Sequence, residues 1–276
     1  MADETSHPTH LEPSQLGTKE YWDSLYTTEI SNHAANPSDT GTVWFSDSNA
    51  ESKILSHLSS LSKPSASSTQ QQQQQQQQKP VLSKETTSFL DLGCGNGSLL
   101  LALRSAGWQG PCLGVDYSPH SIALAKQVAR TEAEEEGEDI LDGLDFKEWD
   151  VIAGEYDSVL EPTTRKEAEK GGVATKGWDV VLDKGTFDAI SLSDEKDSQG
   201  RRLFESYRNR VLPLVKPGTG LFVLTSCNWT EEELRKWFVT EGDDGFEVAS
   251  RVEYRTFSFG GVKGQTISTL CFRRRG

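Results

Sequence analysis

One segment restricts the possible folds more than any other. Ser88–Phe89–Leu90–Asp91 reads as a short buried strand. It runs through Leu92 into Gly93-Cys94-Gly95-Asn96-Gly97, and a helix-forming stretch from Ser98 to Ala106 follows at once, closed by Gly107. A strand that turns on glycines straight into a helix opens a parallel, helix-covered sheet. The glycines admit positive φ and let another group approach the backbone, and the helix N-terminus presents unpaired N–H groups. The chain beyond repeats this alternation. Cys112–Asp116, Leu144–Trp149, Trp178–Asp183 and Gly220–Thr225 read as further strands. Ser118–Pro119 opens a long helix through Glu136, with proline in the first turn. Helices are also expected over Leu203–Val215, ending at Pro217–Gly218, and over Thr230–Phe238, where Thr230 and Glu233 form a capping box. Phe246–Phe257 and Thr266–Phe272 are expected to close the sheet as an antiparallel edge pair. The fold class is therefore α/β: Rossmann-like, doubly wound and mostly parallel, with helices on both faces.

The remaining segments look like additions to a core spanning residues 81–276. Residues 1–15 are expected to be disordered. Residues 16–61 read as an N-terminal helical cap or lid: Tyr21, Trp22, Leu25 and Tyr26 fall at helix-face intervals, and Asn49 is placed to cap a helix through Ile54, Leu55 and Leu58. Between the two helices lies an Asp39-Thr40-Gly41 turn followed by Val43-Trp44-Phe45. Residues 62–80, with nine consecutive glutamines, carry too little apolar surface to offset the entropy of ordering and read as a surface insertion. Residues 132–143 and 155–176 read as charged, solvated loops.

Several function classes are excluded or disfavoured. The net charge of −14 disfavours binding to phosphate backbones and suits a basic protein partner. No stretch approaches the roughly 20 apolar residues of a membrane span, and the N-terminus lacks a basic-then-apolar signal, so the chain is expected to be cytoplasmic. The four cysteines form no C-x-x-C pair and the histidines no H-x-x-x-H, so no metal is expected.

The glycine spacing bears on chemistry. It is G-x-G-x-G rather than the G-x-G-x-x-G of dinucleotide sites. Asp91 places an acid just before the turn, where a pyrophosphate would be repelled but a cationic ligand accommodated. S-adenosylmethionine, with an ammonium, a sulfonium and a nucleoside but no phosphate, fits those terms. Asp116, about 20 residues on at the end of the second strand, is placed to accept from two ribose hydroxyls. Asp150 ends the third strand, able to accept from the adenine amino group with the Val151 N–H beside it. The expected cofactor set is thus Asp91, Gly93, Cys94, Gly95, Asn96, Gly97, Asp116, Tyr117, Asp150 and Val151. Asp183 ends the fourth strand, beside the first, and is expected to face the methyl donor and position the acceptor.

Three motifs, Asp91–Gly97, Gly114-Val115-Asp116-Tyr117-Ser118 and Asp183-Lys184-Gly185-Thr186-Phe187-Asp188-Ala189-Ile190, resemble class I S-adenosylmethionine-dependent methyltransferases. Four segments are similar, more narrowly, to eukaryotic lysine methyltransferases that modify translation elongation factor 1-alpha. They are Tyr21-Trp22-Asp23, Asp39-Thr40-Gly41-Thr42-Val43-Trp44-Phe45, Asp183–Asp188 and Thr225-Ser226-Cys227-Asn228-Trp229-Thr230. The resemblance covers most of residues 16–276. It implies a seven-stranded sheet, S-adenosylmethionine as donor, a lysine side chain as acceptor, a cytoplasmic setting, and cofactor roles for Gly93, Gly95, Asp116 and Asp150.

For such a reaction the acceptor amine must be neutral, although free lysine titrates near 10.4. An aromatic channel beside a sulfonium disfavours the ammonium, and Trp44, Phe45, Phe187 and Trp229 are the expected walls. The chain is expected to act as a monomer. The competing functions are a small-molecule N- or O-methyltransferase and a non-catalytic binding scaffold. An RNA methyltransferase is opposed by the acidity and by Asp183-Lys184-Gly185-Thr186 standing where a base-handling Asn-Pro-Pro-Tyr segment would be.

Overall fold

In the computed structural model, which describes residues 8–62, 82–160, 177–240, 242, 245–255, 257–259, 262–264 and 266–276, the interior strands are buried on both faces. The strands are β1 Phe89–Leu92, β2 Cys112–Asp116, β3 Leu144–Glu148, β4 Val180–Lys184, β5 Leu221–Ser226, β6 Phe246–Val252, β7 Phe257–Phe259, β8 Val262–Gly264 and β9 Ser268–Arg274. Their order in the main sheet is β3-β2-β1-β4-β5-β9-β6, and β7 pairs with β8 separately. The pairs β3–β2, β2–β1, β1–β4 and β4–β5 are parallel, whereas β9 runs antiparallel to both β5 and β6. This is the seven-stranded, mostly parallel sheet with an antiparallel C-terminal edge. Near-continuous apolar runs such as Leu221-Phe222-Val223-Leu224 are what a sheet covered on both sides requires.

Side chains alternate along each strand, so two cores form. On one face Phe89, Val180, Leu182 and Val223 pack with α2 (Ala50–Leu61), α3 (Ser98–Ser105) and α4 (Pro119–Glu136). The N-terminal helix α1 (Lys19–Ala35) lies along α4 and adds Tyr26 to this core. On the other face Leu90, Leu92, Val181, Phe222 and Leu224 pack with α5 (Thr186–Ser191), α6 (Tyr207–Val211) and α7 (Glu231–Phe238). The chain order reverses between β1 and β4. Their carboxyl ends therefore bound the crevice where ligands bind in open α/β sheets.

Several expectations are corrected. Residues 8–15 are not disordered: the Leu11 side chain packs on the second core, and the Ser14 N–H donates to the Leu192 carbonyl at 3.0 Å. Leu203–Val215 is not one helix but a 3-10 turn (Leu203–Ser206), α6, and a second 3-10 turn (Leu212–Leu214). Pro213 has no N–H to give to a helical ladder. Asn49 precedes α2 in the left-handed region and makes no side-chain cap. The acidic stretch 132–143 is the end of α4 followed by a 3-10 turn that buries Ile140, so it is not a solvated loop. In 155–160, Val159 is buried and the Tyr156 hydroxyl donates to the Arg210 carbonyl at 3.0 Å. Residues 161–176, 1–7 and 63–81, with the glutamine tract, lie outside the described residues. The Leu82 N–H meets the Leu61 carbonyl at 3.3 Å. The strand expected over Phe246–Phe257 ends at Val252, and β7 and β8 form an additional hairpin.

Candidate active site

A cavity of about 320 Å³ opens at the β1/β4 switch point, a volume suited to a ligand of small-molecule size. Its floor is the glycine turn. Gly93 sits at φ +63°, and a Cβ there would lie 2.1 Å from Thr186 Oγ1. That hydroxyl donates to the Leu92 carbonyl at 2.6 Å and ties the end of β4 to the end of β1. Glycine is therefore needed at 93 for both backbone and space.

One side of the cavity is built from the ends of β2 and β3. Asp116 is buried and accepts from the Ser118 N–H at 2.9 Å and the Gly95 N–H at 3.2 Å. Burial pushes its pKa up, and these N–H groups oppose the rise. Asp150 Oδ1 accepts from Ile152 and Ala153 N–H at 2.7 and 3.3 Å, an Asx turn that shapes the loop. Arg210 holds the same loop through the Val151 carbonyl at 2.8 Å and the Gly154 carbonyl.

The roof comes from the N-terminal segment, where Leu16, Gly17, Lys19, Trp22 and Tyr26 line the cavity. Asn96 Nδ2 donates to the Thr40 carbonyl at 2.8 Å and fastens residues 39–45 to the glycine turn. Trp44 packs against Trp22 with ring centroids 5.3 Å apart. The Phe45 ring rests on Gly185, where an added Cβ would come within 3.2 Å of it. Phe45 holds φ +64°, a strained conformation for a bulky residue and one that concentrates at functional sites. Lys184 donates to the Trp44 carbonyl at 3.3 Å and lies 3.5 Å from Glu51.

Arg202 fastens this roof. Its guanidinium donates to the carbonyls of Leu11 at 2.6 Å, Ser191 at 2.8 Å and Ser193 at 2.9 Å. Arg202→Ala leaves these acceptors unpaired, and the stretch leading to Leu16 and Gly17 loses one of its ties, with the Ser14–Leu192 bond and the Trp22 Nε1 bond to the Leu16 carbonyl remaining. The variant is expected to be cut by protease within residues 8–18 at a markedly higher rate and to bind the cavity ligand about tenfold more weakly, the equivalent of about one hydrogen bond. Cleavage and ligand affinity unchanged from wild type would rule out this clasp.

Of the residues expected at the cofactor site, Gly93, Cys94, Gly95, Asn96, Asp116, Tyr117, Asp150 and Val151 line the cavity. Asp91 and Gly97 do not. Asp91 is buried in β1, where burial raises its pKa to about 8 against the opposing charge of Lys184. Gly97 lies behind the turn against the Phe146 ring. Of the expected acceptor-side residues, Trp44 and Phe45 line the cavity. Asp183, Phe187 and Trp229 are corrected to positions behind it. Strand alternation turns Asp183 to the face opposite Asp91, and it accepts from Tyr207 Oη at 2.6 Å and from the Thr186 and Phe187 N–H groups at 2.8 and 3.1 Å. Phe187 and Trp229, with ring centroids 6.0 Å apart, belong to the second core, and Trp229 Nε1 donates to Ser191 Oγ.

Residues with no cofactor or acceptor role expected from sequence complete the walls. Asp188 is buried at the lining and accepts from Ser226 Oγ at 2.5 Å and the Cys227 N–H at 2.7 Å. Burial raises its pKa. Cys227 and Asn228 stand beside it. The signal for Trp22 and Tyr26 was present as an i, i+4 aromatic pair. Among the charged groups on the lining, Lys19 is paired with Asp23 at 2.8 Å and Lys184 with Glu51, while Asp116, Asp150, Asp188 and Glu195 also face it. The site favours a guest carrying positive charge.

Residues 83–244 match the family model described as a methyltransferase domain. The chain is 36% identical over 262 residues to "Protein-lysine N-methyltransferase EFM4" of Saccharomyces cerevisiae, covering 95% of this chain and 96% of that protein. It is 36% identical to the protein of the same name in Schizosaccharomyces pombe, with 95% of each covered. Similarity to "EEF1A lysine methyltransferase 2" of Homo sapiens is 31% identity over 95% of this chain and 88% of that one.

Proposed function

The chain belongs to the methyltransferase family that contains these protein-lysine N-methyltransferases, and from that premise we propose that it methylates a lysine of translation elongation factor 1-alpha using S-adenosylmethionine held in the β1/β4 cavity. The observation that carries the donor assignment is Asp116: a buried carboxylate, fixed by the Gly95 and Ser118 N–H groups, on the wall of a cavity whose lining favours a cation. The residues fit the group. Asp116 is placed for the ribose hydroxyls, and the Asp150–Ile152 loop for the base. The glycine turn allows close approach of the amino-acid end.

When bound, S-adenosylmethionine supplies a methyl already activated by a sulfonium. The protein's own work is then positioning, which is worth up to roughly 7–11 kcal/mol in well-oriented systems. Trp44 and Phe45, on the lining beside Gly185, exclude water from the acceptor end and disfavour a charged amine there. Asp188 and Asn228 stand on that wall beside Cys227, and they are the groups offered to orient the incoming amine. The elongation-factor assignment is supported by the names of relatives aligned over nearly the whole chain.

The test is transfer of a labelled methyl group from S-adenosylmethionine to purified elongation factor 1-alpha, with Lys-to-Arg variants of the acceptor to locate the site. Label on a single lysine is expected. Label appearing only on small molecules or RNA would overturn the substrate and leave the donor site standing.

A further inference from the structure

We propose that Tyr207, acting through Asp183, is a positioning residue that sets the Lys184-Gly185-Thr186 turn against the donor-binding cavity. The inference rests on the methyltransferase reading of that cavity. Asp183 lies one residue before the end of β4 and does not line the cavity, and the described hydrogen bonds of its carboxylate are all accepted from donors. These are the buried Tyr207 hydroxyl at 2.6 Å and the N–H groups of Thr186 and Phe187 at 2.8 and 3.1 Å. The two N–H groups open α5, so the carboxylate fixes the start of that helix. What it fixes reaches the cavity directly. Lys184, Gly185 and Thr186 line the cavity, Gly185 carries the Phe45 ring, and Thr186 ties back to the Leu92 carbonyl beside Gly93.

The arrangement favours an ionised Asp183. A protonated carboxyl would point a hydrogen at a ring of donors. Of the three partners only the tyrosine hydroxyl can reverse and accept, because an amide N–H cannot. The neighbouring charges work against ionisation. Asp183 is buried, Asp188 on α5 faces it, and Asp91 on β1 lies across the sheet beside Lys184. Burial raises its pKa to about 7, and the Tyr207 hydrogen bond is the largest influence holding it down. Tyr207 sits on α6, 24 residues from Asp183, and touches no cavity surface. Its role is exerted entirely through the carboxylate.

Tyr207→Phe keeps the ring and its packing against Phe187, at 5.2 Å, while removing the donor. The first readout needs neither donor nor acceptor: the backbone amide resonances of Thr186 and Phe187 followed by NMR from pH 5 to 9. In wild type they are expected to titrate together near neutrality, and in Tyr207→Phe about one pH unit higher. The second readout is S-adenosylmethionine affinity and kcat/KM over the same range. The acid limb is expected to move up by the same amount, with recovery to the wild-type level at pH 9. In an Asp183→Asn background Tyr207→Phe is expected to change neither profile. Amides that titrate identically with and without the hydroxyl would overturn the proposal. So would a loss of activity equal at every pH, which is what a merely structural residue gives. Amide and donor-binding shifts as expected, with no transfer to elongation factor 1-alpha by wild type, would support the positioning role and count against the substrate assignment alone.

Discussion

Asp116→Ala is expected to weaken S-adenosylmethionine binding by about 100-fold or more while leaving the protein folded. The carboxylate is placed to accept two hydrogen bonds from vicinal hydroxyls inside a buried wall. Hydrogen bonds to a charged group contribute about 1.5–3 kcal/mol each, and about 1.4 kcal/mol is a factor of ten. Alanine also frees the Gly95 and Ser118 N–H groups that Asp116 now holds, so the glycine turn loses an anchor as well as the ligand a partner. Asp116→Asn is the sharper test. The amide keeps the volume but sets an NH₂ group against one of those N–H donors, so it is expected to bind nearly as poorly as alanine. Folding should change little in either variant, because removing a carboxylate whose pKa burial has raised offsets part of the lost hydrogen bonding. Calorimetric titration with thermal denaturation on the same samples decides the matter. Affinity within about threefold of wild type in a folded variant would remove Asp116 from the donor site.

The sequence revealed what residue type and order control. Apolar runs broken by glycines and caps led to β1, β2 and β4 within one or two residues, and the antiparallel edge followed from two late strands without a helix between them. Asp116 was legible because one acid at the end of the second strand has few other uses. Facing was not legible. The period of two puts Val181 and Asp183 on one side of the sheet, but that the Asp183 carboxylate is taken up by Tyr207 and the start of α5 depends on a residue distant in sequence. Phe187 and Trp229 read the same whether they wall a channel or fill a core, since both environments bury aromatic rings. The order of residues 8–15 was hidden for another reason: Arg202 grips them by a main-chain carbonyl, and main-chain acceptors leave no mark on residue type.

Asp91→Asn is expected to make the protein more stable at pH 8 and to leave it nearly unchanged at pH 4. Asp91 lies within β1 and is not among the residues that line the cavity, and its pKa is raised from 3.8 to about 8, chiefly by burial, with Glu51, Asp183 and Asp116 adding to the rise and Lys184 opposing it. The sign follows from proton counting. Between pH 4 and pH 8 the folded protein holds a proton on Asp91 that the unfolded chain has released, so unfolding releases protons and stability falls as pH rises. Below about pH 4 both states are protonated and the penalty vanishes, and above about pH 8 it is fully developed. Asparagine carries no charge to bury, so its advantage grows across that window. A shift of that size taken alone corresponds to several kcal/mol, but asparagine also gives up the attraction of Lys184. The net gain is therefore set at about 2 kcal/mol at pH 8, or about 4–8 °C in Tm for a chain of this size. Thermal denaturation of both proteins at each pH from 4 to 9 measures it. Parallel curves would mean that Asp91 titrates in the folded protein as it does in the unfolded chain, and Lys184 would then have to offset burial. Such a pair would do better as a binding element than as a burden on the fold, and the acid just before the glycine turn would return to the ligand site.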